Sequence, residues 1–94
     1  MLYVAEHMHP AAQCPLNSEQ GKTMLKDLFS ESNVKKAGIK IDSAYMSCPK
    51  DTSADHKGFF AIEANSPEAV TKFFGPLTVQ LREVLPLSEV AKKL

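Results

Sequence analysis

The run Gly58-Phe59-Phe60-Ala61-Ile62-Glu63-Ala64 gives way almost at once to Ser66-Pro67-Glu68, and this junction constrains the fold more than any other feature. The first part is aromatic and β-branched and reads as a strand. The second has a serine at an N-cap, a proline at the first helical position and an acid in the first turn, which together start a helix. Ala69, Val70, Phe73 and Phe74 then repeat at helical spacing, and Gly75-Pro76 ends the segment. A strand that feeds directly into an amphipathic helix must bury one face of each against the other, so the chain belongs to a layered α/β or α+β class.

The rest of the chain supplies the other elements. Leu2 to Met8 reads as a strand with Leu2, Val4 and Met8 on one face and Tyr3, Ala5, His7 and His9 on the other. Pro10 ends it, because proline cannot donate to a ladder. A loop bracketed by Pro10 and Pro15 leads to an N-cap at Asn17 or Ser18. Met24, Leu25, Leu28 and Phe29 form a helical stripe, weakened by Gly21 and stopped by Ser30-Glu31-Ser32-Asn33. Gly38 to Cys48 is a second strand whose alternation slips near Asp42-Ser43-Ala44, where a bulge is expected. Residues 49–55 read as a polar hairpin loop. Thr78 to Leu87 is the last strand, followed by a tail with the character of a short helix.

The order β-α-β-β-α-β is the ferredoxin-like arrangement, an α+β fold. Right-handed crossovers predict a four-stranded antiparallel sheet in the order 4-1-3-2 with both helices on one face. On this reading residues 1–94 form one domain, and the open face carries Tyr3, Ala5, His7, Tyr45, Phe59 and Ala61. That face is too apolar for water, and a homodimer is expected to cover it.

The stretch Gly58 to Ala69, together with Val84-Leu85-Pro86, resembles the dimeric α/β-barrel superfamily, which includes antibiotic-biosynthesis monooxygenase-like proteins and muconolactone isomerase. Within it, the C-terminal part of the chain is most similar to an uncharacterised family. Its members carry a Gly-Phe-x-x-x-Glu strand, an Asp/Ser-Pro-x-Ala helix start and a Val-x-Pro element. The resemblance implies a dimer with a pocket for a small hydrophobic molecule. In a cofactor-independent monooxygenase or isomerase of this kind, Tyr3, Tyr45 and Phe59 would line the pocket, His7 would be the general base and Glu63 its orienter or the acid.

Composition removes several function classes. Eleven basic and eleven acidic residues balance in a chain of 94, and with no basic stripe a nucleic-acid surface is not expected. No apolar run approaches the ~20 residues that span a bilayer. The N-terminus lacks the pattern of a signal peptide, so a cytoplasmic protein with reduced cysteines is expected.

The chemistry concentrates in few residues. His7 and His9 share a face of the first strand, about 6.5–7 Å apart at Cα, near enough to hold one ion. The strand directions bring the end of strand 1, the Cys14 loop, Cys48 at the end of strand 2 and His56 at the start of strand 3 to one edge. Every histidine and cysteine of the chain therefore meets there. Imidazole with thiolate suits zinc, copper or iron and argues against magnesium and calcium. The expected ligands are His7, His9 and Cys14, completed by Cys48 or His56. The alternative use of the same residues is redox chemistry, with Cys14 as nucleophile before a helix and Cys48 as its resolving partner.

Overall fold

A computed structural model describes residues 1–48 and 55–94; the expected hairpin loop, apart from its last residue, lies outside them. Four strands, β1 (Leu2–Pro10), β2 (Lys40–Met46), β3 (Asp55–Glu63) and β4 (Val79–Val84), form one sheet in the order β2-β3-β1-β4. All of its pairings are antiparallel. Topology and strand order follow the ferredoxin-like expectation. The sheet has two free edges, β2 and β4, and is open, so the expected barrel does not form.

The helices are α1 (Glu19–Leu28), α2 (Glu31–Lys36), α3 (Pro67–Phe74) and α4 (Leu87–Ala91). Ser18 caps α1 by accepting from Gly21 N–H, and Ser66 caps α3 by accepting from Ala69 N–H. The Ser30 cluster does more than stop a helix. It ends α1 and also caps α2, where the Ser30 hydroxyl accepts from Asn33 N–H. The expected bulge in β2 falls between Ile41 and Ser43. β3 starts earlier than its apolar content indicates, so His56 lies inside the strand.

The core lies between the sheet and the helices. Tyr3, Ala5, Phe60 and Ile62 project from β1 and β3 onto Val70, Phe73 and Phe74 of α3. Phe29 stacks on Phe60 with ring centroids 5.4 Å apart, and Phe74 meets Phe60 edge-on at 5.1 Å. α1 has no fully buried residue, so α3 supplies most of the helical packing.

This arrangement corrects the expected faces. Odd-numbered residues of β1 face the helices, so Tyr3, Ala5 and His7 are buried and absent from the open face. Met8, expected in the core, is exposed on the open side with Phe59 and Tyr45. The reason is register. Ala5 pairs with Phe60 and Glu6 with Phe59, so whichever β1 parity lies with Phe60 enters the core. Among the described residues no helix is long and apolar enough to cross a membrane.

Truncating a fully buried ring of α3 should cost far more than truncating an exposed apolar side chain of α4. We expect Phe74→Ala to lose about 3–5 kcal/mol in urea unfolding. Leu87→Ala, at a position 78% exposed, should change stability by less than about 0.5 kcal/mol.

Candidate metal centre

The centre begins with a cross-strand pair. His9 stands directly opposite His56 in the β1–β3 register, so both imidazoles leave the sheet on the helix side, with ring centroids 5.2 Å apart. Cys48 is brought to them by an extension of the hairpin ladder. Ser47 N–H donates to the Lys57 carbonyl at 2.9 Å, and Lys57 N–H donates to the Ser47 hydroxyl at 2.9 Å. That exchange fixes Ser47 beside Lys57 and leaves Cys48 next to His56.

Cys14 comes from the loop after β1, between two short 3-10 turns, Ala11–Gln13 and Pro15–Asn17. Its backbone is extended (φ −62°, ψ 129°), as a residue before proline requires. Cys14 N–H donates to Ala11 O at 3.2 Å, Asn17 N–H donates to Cys14 O at 2.9 Å, and the Asn17 side-chain amide returns to Ala11 O at 2.9 Å. Gly21 completes the support, because a Cβ there would lie 2.1 Å from the Pro15 carbonyl oxygen. The residue that weakens α1 as a helix is the one that lets α1 seat against the Cys14 turn.

His9, Cys14, Cys48 and His56 are all buried, and their ligand atoms lie within 4.8 Å of one another, close enough to coordinate one metal ion. A tetrahedral ion with bonds of about 2.3 Å to sulfur and about 2.0–2.1 Å to nitrogen sets an N–S edge of about 3.6 Å. His9 Nε2 and Cys48 Sγ are 3.6 Å apart. Both ring nitrogens of His56 are buried without a hydrogen-bond partner among the described residues. Burying such a group unpaired is costly, and a ligated cation is the partner this environment lacks.

The electrostatics suit the same role. Burial, and then the neighbouring His7 and His56, hold the His9 imidazole below its ordinary pKa, so it is neutral and able to ligate. Burial, and then the hydrogen-bonded Cys14 thiol beside it, push the Cys48 thiol up to about 11. Without a cation it stays protonated; a cation reverses that balance.

The expected ligand set is therefore corrected at one position and extended at another. His7 sits outside the cluster, with Nδ1 at 2.8 Å from the Thr78 carbonyl oxygen and Nε2 at 3.0 Å from His9 Nδ1. Cys48 and His56, read from sequence as competitors for one place, both join. The expected pocket does not assemble. His7 faces the helices opposite Gly58, whereas Glu63 pairs with Leu2 on the open face, about 17 Å along the strands. Glu63 lies 3.7 Å from Lys40. Tyr3 is buried in the core, apart from Phe59 and Tyr45 on the other side of the sheet. An apolar cavity of about 770 Å³ lies instead on the helix side, between α2 and β2, with Val34, Ile39, Met46 and Phe60 among its lining residues. None of the expected pocket residues lines it.

Compared with protein-family models, curated proteins and solved structures, the chain matches none. The open sheet, with free edges at β2 and β4, overturns the resemblance to the dimeric α/β-barrel superfamily.

Because Gly21 meets backbone, a side chain there must displace the Cys14 turn. Gly21→Ala should weaken metal-ion binding by the cluster about tenfold or more, as perturbing the support of a metal ligand does, measured by competition with a chromophoric chelator. Unchanged affinity would show that Cys14 is held by other means.

Proposed function

We propose that this chain binds a single transition-metal ion, zinc above all, through His9, Cys14, Cys48 and His56, and that the ion ties its segments together. The observation that carries this reading is His56, whose two buried nitrogens have no partner among the described residues and lie in the middle of two thiols and a second imidazole. A Cys14–Cys48 disulfide, the redox alternative, would leave those nitrogens unpartnered. Two sulfurs and two nitrogens in tetrahedral reach suit zinc. Four protein ligands fill its coordination and leave no position for an activated water, so the role is structural rather than hydrolytic. The ion would join the end of β1, the Cys14 loop, the end of β2 and the start of β3. Thiolate ligands require a reducing compartment, for which the cytoplasm is our assignment.

Elemental analysis of tag-free protein purified without chelator should find close to one zinc per chain, and chelation should lower the melting temperature. Cobalt should give the thiolate charge-transfer and intense d–d bands of a tetrahedral site. Cys14→Ser and His56→Ala should each lose the metal. The sign of the pH dependence follows from the Cys48 thiol. Its proton must leave, so zinc uptake near neutral pH releases protons and affinity climbs as pH rises through the neutral range. A chain that takes up neither zinc, copper nor iron overturns the reading.

A separate observation supports a homodimer. The open face presents Phe59 and Tyr45 beside charges of both signs, with Lys57 at 3.4 Å from Glu6 and Lys40 at 3.7 Å from Glu63. A surface carrying both signs around an apolar centre can match itself about a two-fold axis. Light scattering should report a dimer that Phe59→Lys converts to monomer; a native chain monomeric at every concentration refutes it.

A further inference from the structure

His7 is a buried imidazole that the metal cluster does not use, and its two contacts determine where its proton and that of His9 must lie. A carbonyl oxygen only accepts, so the 2.8 Å contact with Thr78 O places the hydrogen of neutral His7 on Nδ1. The other nitrogen, Nε2, then offers a lone pair. It lies 3.0 Å from His9 Nδ1, which must donate to it. His9 Nε2 is consequently bare, and this is the atom that faces Cys48 Sγ. The direction of every bond follows from one backbone carbonyl.

Resting on the metal reading above, we propose that His7 is the positioning residue of the centre. Through a relay from the Thr78 carbonyl, it holds His9 in the Nδ1–H tautomer and presents a bare Nε2 to the ion. A ligating histidine whose other nitrogen donates to a fixed acceptor is oriented and made more basic, because the N–H dipole points away from the metal. Here the acceptor is a second imidazole, itself anchored to the chain just before β4. The His-x-His spacing supplies both members, since strand residues two apart share a face. His7 pairs with Val79 in the β1–β4 register, which sets its ring beside the Thr78 carbonyl. The relay therefore connects the edge strand β4, which contributes no ligand, to the metal centre.

The test is nitrogen-15 NMR of histidine-labelled protein, with zinc ion as the probe. In the zinc-free and zinc-loaded native chain, long-range proton–nitrogen correlations should place hydrogens on Nδ1 of both His7 and His9. A scalar coupling across the His7 Nε2···His9 Nδ1 hydrogen bond should be visible. Zinc should shift His9 Nε2 alone of the two nitrogens of that ring into the metal-bound range. His7→Phe should weaken zinc about 10–100-fold. His7→Gln, whose amide oxygen can accept from His9 Nδ1, should recover much of that loss. Zinc bound through His9 Nδ1, a hydrogen on His9 Nε2 in the zinc-free protein, or His7→Phe binding zinc as tightly as the native chain would each overturn the relay while leaving the metal site standing. Failure of the native chain to take up zinc overturns the metal reading and the relay with it. The tautomers are read in the native protein, so the test survives a His7→Phe variant that does not fold.

Discussion

The register that sets His9 opposite His56 is the constraint on which the rest of the centre depends. Two imidazoles paired directly on adjacent antiparallel strands share a face, and a slip of one residue would send one of them through the sheet. The same register fixes Ala5 against Phe60 and Tyr3 against Ile62, so the metal edge and the apolar core are consequences of one alignment. A mutation that relaxed the core pairing would disturb the histidines as well. The Ser47–Lys57 exchange carries the alignment past the end of β2 and delivers Cys48 to the same place.

The helical layer is unevenly anchored. α3 buries Val70, Phe73 and Phe74, whereas α1 and α2 bury no residue fully. The segment between β1 and α1 has two 3-10 turns without buried residues, held by a few local hydrogen bonds. A metal bond from Cys14 would give this segment a strong long-range tie. In a small chain, a tie of that kind carries weight, because the core has little apolar area with which to order every loop. The close seat of Gly21 on Pro15 shows how far the chain accommodates the turn, accepting the poor helix propensity of glycine for it.

Much of the architecture was legible in the residues themselves. The Ser66-Pro67 start, the Gly75 stop, the bulge in β2 and the strand order are local or topological statements, decided by capping, alternation and handedness. The convergence of the histidines and cysteines on one edge followed from strand direction alone. The sidedness of the sheet did not. Leu2, Val4 and Met8 look as apolar as Tyr3 and Ala5, so alternation in β1 cannot say which set faces the helices. That choice belongs to packing, where the rings of α3 and Phe29 close over Phe60 and the small Ala5 beside it. Once it is reversed, the pairing of His7 with Glu63 and the grouping of Tyr3 with Phe59 and Tyr45 disappear together.

The sequence by itself determined which atoms are available, two thiols and three imidazoles, and that chain direction gathers them at one end of a ferredoxin-like sheet. Residue type and strand parity are properties of the covalent chain, and they suffice for that. Only the tertiary structure decided the division of labour among them. His7 and His9 are equivalent by spacing, and they become different because Thr78, just before β4, brings a backbone carbonyl to one and β3 brings His56 to the other. A carbonyl can only accept, so the histidine that meets it becomes the support. The one that meets the thiols becomes the ligand.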